Sequence, residues 1–446
     1  MKKIVLLIIL ALLLLGALIV YFLLDEPLTP LAEQALNYQP APVPAEQNAF
    51  VGVAGLNALS RRDFLKMGEA YIQQVNLGQI EQDEQNFSYD TKDYTYSCER
   101  EITRNCLGEI QADAEKVQKL LEDEHELIQR YLKIQEMPIY SNRLRPPSLN
   151  AYLNMTLPRY DYLAYVSRIL SVKAIQDIKN GRVAGGLEWI QKDMAFYRAI
   201  FAAKDAVQLD KWTALMQLQR YAILLSLLIE EDELRGQDDA LRSLLASLDD
   251  LKESFENLVR SNYASALQAL HKTPPDELVE PHAIVYFYYK QNMTSNFADE
   301  LWNNGINIIN ETPIALLSSE DIVRKVVERT GCTTLGTIWG YCKQMKNHFG
   351  EALILKTYDG SDADTLLRIY DVDAHLRLVR AQLEYKLAAK PPEADPVAIL
   401  AALPPETFNP YTNKPFDFDA ERGVLVFQPA ARPDKDKRVE IRLSKP

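Results

Sequence analysis

The sequence predicts a mainly α protein: an N-terminal transmembrane helix, an external helical domain built as a bundle or an irregular helical repeat, and a small C-terminal β-hairpin appendage. Three observations predict it. Ile4–Leu24, IVLLIILALLLLGALIVYFLL, holds no charge and no proline. From Ala112 to Ala389 apolar residues recur mostly at three- and four-residue spacing, the period of helices with one buried face. Beyond Pro391-Pro392 short apolar runs alternate between turn signals, as strands do.

The first stretch comes first in the argument too. At about 1.5 Å per residue, Ile4–Leu24 is roughly 32 Å long, enough for a hydrocarbon core of about 30 Å. Lys2 and Lys3 precede it, and Asp25 and Glu26 follow it. Positive charge stays on the cytoplasmic side, so residues 25–446 are expected outside. A cleaved signal peptide has a shorter apolar region and small residues at the cut. Tyr21–Pro27 offers no small-x-small site and no cysteine follows for a lipid, so the anchor is expected to stay. The richest later stretch, Tyr221–Ile229, is too short to span.

Residues 25–47 carry Pro27, Pro30, Pro40, Pro42 and Pro44 and read as a semi-rigid tether, with room for a short helix at Leu31–Leu36. Asn48–Ala58 mixes apolar and small residues and starts the external domain, 48–395, by close packing. Residues 80–110 are polar and read as an exposed loop. Val117, Leu120, Leu127, Tyr131 and Ile134 mark a helix that ends before Pro138. Tyr152–Ile178 is a second helical stretch, kinked or restarted at Pro158. Leu187–Phe201 and Trp212–Leu228 follow. The longest run is expected at Leu241–Leu270, broken by Pro274-Pro275. Asp362–Ala389 is helical again. In 396–446, Phe416–Phe418 and Val424–Phe427 read as strands joined through Asp419–Gly423, with Arg438–Leu443 as a third.

Net charge is −13 over 446 residues. That balance disfavours nucleic acid and a second, electrostatic attachment to anionic lipid. The expected contacts are the inner membrane through residues 4–24 and other envelope proteins, with no cofactor. The four cysteines form two close pairs, Cys98 with Cys106 and Cys332 with Cys342. An oxidising compartment allows disulfides, and four cysteines permit three connectivities. Local pairing is expected, because each pair encloses a short polar segment. The spacings C-x7-C and C-x9-C are not those of zinc sites.

Three segments together resemble an uncharacterised group of bacterial membrane-anchored helical proteins. They are Pro44–Phe50 behind the anchor, Ala174–Arg182 (AIQDIKNGR) with the helices after it, and Asn409-Pro410-Tyr411-Thr412-Asn413-Lys414-Pro415-Phe416. The last is similar to the Asp-Pro-Phe-Ser-Gly-Lys-Pro-Leu motif of that group. Here Asn409 replaces the acid and Asn413 the glycine. Asparagine tolerates left-handed backbone, so the turn is expected to survive. The resemblance implies architecture and location, and no activity.

Several constellations invite a chemical reading. His125-Glu126 opens an H-E-x-x-H, but the fifth residue is Gln129, so the zinc-binding pair is incomplete. Asp371 and His375 stand one helical turn apart with Asp373 pointing elsewhere, which reads better as a solvated or salt-bridged face than as a metal site. Glu253-Ser254, followed by Ala266-Leu267-Gln268, is faintly similar to lytic transglycosylases, which cleave wall glycan with one glutamic acid. The glycine of that pattern is missing, and a plain helix supplies no cleft. His282 with Tyr286, Tyr288 and Tyr289 is a candidate ligand or partner surface, weighed against ordinary aromatic packing. No P-loop, dinucleotide fingerprint or nucleophile elbow is present. The sequence therefore predicts a membrane-anchored envelope binding or scaffold protein without catalysis. A wall-glycan hydrolase using Glu253 is the alternative.

Overall fold

The computed structural model describes residues 2–79, 104–248, 250–274, 289–330, 347, 354, 361–388, 395–431 and 438–443. The protein is mainly helical, with one three-stranded antiparallel sheet near its C-terminus. Its residues gather into two compact units. The smaller holds Met1–Gln39, Arg145–Asn154 and Tyr263–Ala363, and the larger holds the rest.

In the smaller unit, α1 (Lys2–Leu23) is followed directly by chain fixed to α14 (Gln291–Glu311). The Asp25 carboxylate accepts the backbone N–H of Asn292 at 2.8 Å and of Met293 at 3.1 Å. A carboxylate at a helix start satisfies donors that have no partner within the helix. Asn296 donates to the Pro27 carbonyl and accepts from Thr29 N. Thr29 caps α2 (Pro30–Leu36), whose proline occupies the first turn, where its missing N–H costs nothing. Gln268 then holds the Ala35 and Tyr38 carbonyls at 3.0 and 2.6 Å. The expected tether is thus docked through Tyr38, because side chains distant in sequence reach its backbone. Tyr263 lies against Trp302, ring centroids 5.0 Å apart, and Leu267, Met293, Leu301, Ile308 and Ile322 are buried beside α15 (Ser319–Thr330).

The larger unit begins with α3 (Ala49–Gly55) against α4 (Phe64–Asn76). A Cβ on Gly55 would lie 1.8 Å from the Phe64 carbonyl oxygen, and one on Gly68 2.0 Å from that of Val51. Only glycine lets these two backbones meet, which is the close packing that Asn48–Ala58 predicts. Arg130, buried on α7 (His125–Gln135), donates to the carbonyls of Leu56, Ala58 and Leu59 and closes the turn after α3.

The helix expected from Ala112 to Pro138 is instead α6 (Ala114–Asp123) and α7, parted at buried Glu124. Asp113 caps α6. The irregular stretch also ends sooner than expected, since α5 (Arg104–Ala112) buries Leu107 and Ile110. Pro158 separates α8 (Leu149–Asn154) from α9 (Tyr160–Lys179), so that helix restarts. Gly181, at φ +80°, turns the chain from α9 into α10 (Val183–Ala202). The resembling AIQDIKNGR segment is therefore a helix corner, tied by Asp177 to Lys173 and Arg182.

Helix α11 (Gln208–Glu230) packs against α10. The long helix expected at Leu241–Leu270 is two, α12 (Asp238–Leu244) and α13 (Leu251–Lys272). Arg198 takes the carbonyls of Leu244, Ala246 and Ser247, and Asp373 takes Leu248 N at 2.7 Å. Backbone groups that would continue the helix are consumed by side chains. The longest helix is α16 (Ser361–Ala388), 28 residues.

α17 (Pro396–Ala401) leads to the sheet, β1 (Asp417–Asp419), β2 (Val424–Phe427) and β3 (Val439–Arg442), in that order. Phe418 faces Leu425, which faces Ile441. The turn before it closes through Asn409 N to the Lys414 carbonyl at 2.9 Å, and Asn413 sits at φ +53°. Asn413 thus takes up the left-handed conformation that asparagine tolerates. The segment is docked on α16. Asp371 accepts the Tyr411 hydroxyl at 2.7 Å and the N–H groups of Ala430 and Ala431 at 2.9 Å.

Asp371→Ala should therefore cost about 2–4 kcal/mol in urea unfolding, since it strands three donors at once, one buried and two half-buried. Truncation after Ala402 should lower the melting temperature and speed proteolysis of what remains. A truncated body that melts like the full chain would show the C-terminal segment to be an independent tail.

Candidate functional site

Two places in the larger unit gather ionisable groups: a sealed centre among α7, α9, α10 and α11, and an open cleft where α11 turns into α12.

Asp193 occupies the centre of the first. It is fully buried and accepts from the Tyr221 hydroxyl at 2.6 Å, from Gln135 Nε2 at 2.5 Å, and from the hydroxyls of Tyr131 and Ser167. Burial pushes its carboxyl above the ordinary range, against the pull of the hydroxyls. Burial also brings Arg220 down to about 10. A second carboxylate, Asp210 in the first turn of α11, takes the hydroxyls of Tyr140 and Tyr160, Asn142 Nδ2 at 3.0 Å and Val207 N at 2.8 Å. Next to it Lys211, held by burial at about 8, donates to the Ser254 carbonyl at 2.9 Å. Tyrosines, carboxylates and a depressed lysine are the ingredients of acid–base catalysis. Here Tyr131, Tyr197 and Lys211 are at most 1% exposed, and no substrate reaches them. These groups lock helices together.

The cleft has about 230 Å³ of space. Ile229, Leu234, Leu241, Leu383 and Leu387 give it apolar walls, and Asp232, Arg235, Asp238 and Lys386 its polar lining. Its shape comes from the end of α11. Asp232 at φ +63° and Gly236 at φ +78° turn the chain back, and Glu233 N closes on the Leu228 carbonyl. Lys386 from α16 donates to the Ile229 carbonyl at 2.6 Å and pairs with Asp232 at 2.8 Å. Lys386, with Arg235, holds the Asp232 carboxyl below its ordinary range. Behind this turn Lys179 binds Glu231 and Glu233. Burial alone would depress Lys179, but its two partners keep it raised. An apolar side chain or short acyl group fits such a cleft, with a charged rim to orient it. It pairs no nucleophile with a base.

The sequence candidates fall as follows. Asp371, Asp373 and His375 are all buried, so of the solvated or salt-bridged face expected for them only the salt bridge is present, at Asp373. Asp371 holds the C-terminal segment, Asp373 binds Arg377 and Leu248 N, and His375 meets the Phe427 ring edge-on. Asp371 and Asp373 do diverge. Among the described residues no three His, Cys, Asp or Glu converge as metal ligands. Glu253 is exposed in the first turn of α13. Glu126 pairs with Arg130 at 2.7 Å. Tyr289 is 6% exposed and its phenol is pushed up to about 12 by burial, so its ring is packed and not displayed. His282, Tyr286, Tyr288, Cys98, Cys332 and Cys342 lie outside the described residues. Cys106 is buried on α5 and is not a free thiol.

Sequence reading missed Asp193, Asp210 and the cleft. A signal for Asp193 existed. It sits within the stripe Leu187, Ile190, Met194, Tyr197, where only a buried side chain belongs. No protein-family model matches the chain, and comparison with curated proteins and with solved structures finds no match.

The two kinds of buried carboxylate predict opposite pH dependence. Asp177 is held low in the fold by Lys173 and Arg182 although burial opposes them, so its stabilisation is present above the unfolded value of about 3.9 and fades as pH falls. Asp193 is held high, so its contribution is lost as pH rises from about 3.9 through the folded value. The stability difference between parent and Asp177→Asn should shrink towards acid. The difference between parent and Asp193→Asn should shrink towards neutral pH. Denaturant titrations across pH 3–7 read both, and parallel trends would refute the assignment.

Proposed function

We propose that the protein is a membrane-anchored binding or scaffold protein of the bacterial cell envelope, carried by α1 in the inner membrane with the rest of the chain in the periplasm. One observation carries this reading. Every residue from Ile9 to Tyr21 is exposed on an apolar helix of 22 residues, about 33 Å long. Leaving a large apolar side chain in water forgoes about 1.5–3 kcal/mol, and here a whole helix does so on every face. Hydrocarbon is the surrounding that removes the cost. Gln208–Glu230 also passes the length and composition test for a span, yet 67% of that window is buried. It reads as a core helix.

Lys2 and Lys3 before α1, with Asp25 and Glu26 after it, support an N-terminus in the cytoplasm. An oxidising periplasm supports the pairs Cys98–Cys106 and Cys332–Cys342. The open cleft beside Lys386 supports binding. It offers an apolar floor to a partner's side chain, whereas the groups suited to proton transfer are sealed. Exposed Glu253, on a continuous helix, has no cleft in which to act as a general acid.

The full chain should fractionate with membranes and be released by detergent and not by alkaline carbonate. Leu13→Arg, at the middle of α1, should weaken insertion by about 3 kcal/mol. Protease added to spheroplasts should digest residues beyond 25. Soluble protein, or protection of the body until the membrane is opened, would overturn the reading. Peptide mapping without reduction checks the cysteine pairs, with free thiols or cross-pairing against them. Glu253→Gln should leave wall-glycan turnover unchanged, and a loss of cleavage would restore the hydrolase alternative.

A further inference from the structure

The smaller unit follows α1 without slack. Leu24 N still bonds to the Val20 carbonyl, and the next residue, Asp25, is already bound to the first turn of α14. Two residues of chain reach at most about 7 Å. A helix of about 33 Å fills a hydrocarbon core of about 30 Å, and the headgroup layer adds roughly 5–7 Å on each side. If α1 spans the bilayer, the first turn of α14 therefore lies at headgroup depth.

What surrounds that turn is fixed by hydrogen bonds within the unit. Gln291 donates to the His271 carbonyl, and His271 meets Ser295 Oγ at 3.3 Å, which sets the end of α13 there. Thr273 Oγ1 accepts Leu149 N at 2.6 Å, which brings the start of α8 to the same end. Asn296 and Thr29 bring the start of α2. α8 and the first residues of α2 extend no more than about 10 Å from these bonds. On them stand exposed leucines: Leu24 at 58%, Leu31 at 50% and Leu153 at 68%. Lys272 is exposed nearby in sequence to Thr273, and Glu26 and Glu33 offset it in charge.

We propose that this end of the smaller unit rests on the bilayer, with Leu24, Leu31 and Leu153 at the boundary of headgroups and acyl chains, as a second, apolar membrane contact beside α1. The proposal rests on α1 being a membrane span. The lipid recognised is phospholipid by its acyl region, independent of headgroup charge, because the nearby charges are of both signs and the protein is acidic. Leu316, 69% exposed, serves as the internal control. It follows the far end of α14, about 29 Å along that helix from Asn292.

The test uses the full chain in phosphatidylcholine vesicles brominated on the upper acyl carbons. Leu31→Trp, Leu153→Trp and Leu316→Trp are compared after subtracting the native tryptophan emission. The first two should lose most of the added emission to bromine, at high salt as at low, and Leu316→Trp should keep it. On the unsubstituted chain, a phospholipid with a photoactivatable group at the same depth should label peptides holding Leu31 and Leu153 and spare the one holding Leu316. This second measurement decides the matter where a tryptophan variant unfolds. Labelling and quenching no greater at Leu31 and Leu153 than at Leu316 overturn the contact while α1 still spans. Failure of the chain to enter vesicles overturns the anchor and the contact together.

Discussion

The larger unit depends on a carboxyl group, Asp193, placed where water cannot reach it. An unpaired buried carboxylate costs several kcal/mol, so Asp193 is tolerable only while its donors are in place. Those donors come from three other helices: Tyr131 and Gln135 of α7, Ser167 of α9 and Tyr221 of α11. Any slip of one helix leaves a buried carboxyl group short of a partner, a steeper penalty than the loss of some apolar contact. Leucine stripes on α9, α10 and α11 supply most of the burial but accept several registers. The carboxylate accepts few. The same device recurs at Asp210, which collects the 140–142 loop and α9, and at Asp371 and Asp373 on α16, which collect the C-terminal segment and the turn between α12 and α13.

That logic explains what was legible in the sequence. Helical periods and the three strands follow from local pattern, and both are present. Leu425 and Phe427 are buried as an alternating strand requires. The breaks were harder to read. Leu241–Leu270 keeps its apolar period through a turn, because Leu244, Leu245 and Leu248 remain buried on either side of it. What ends the helix is Arg198 and Asp373, which lie 46 or more residues from the groups they capture. No local window contains that information. Proline density at 25–47 likewise says nothing of Asn296 and Gln268, which bond to the backbone of residues 27–38.

The cleft was illegible for a related reason. It is shaped by two left-handed residues, of which only Gly236 announces itself; Asp232 has to be forced there. Positive φ at a non-glycine costs of order 1 kcal/mol and persists where the surroundings over-determine it. Here they do, since Lys386 and Arg235 both hold the Asp232 side chain. The polar lining is thus largely committed to the turn. Specificity in the cleft falls to its apolar walls and to Asp238.

Helices α1 and α11 are of nearly equal length, and the contrast between them shows what length omits. Near its start α11 carries Asp210 and Lys211, both fully buried, and Gln217 follows at 6% exposure. Each of the first two has partners within the unit: hydroxyls and an amide for Asp210, the Ser254 carbonyl and the Phe201 ring for Lys211. Those bonds hold only inside the folded body, so drawing α11 into lipid would strand an acid and an amine together. Between Lys3 and Asp25, α1 has no such group, and its described side chains are exposed. Length alone ranks the two as similar, at 22 and 23 residues. The partners of the polar residues separate them: those of α11 tie it into the folded body, and α1 carries no polar residue between Lys3 and Tyr21 that could do the same.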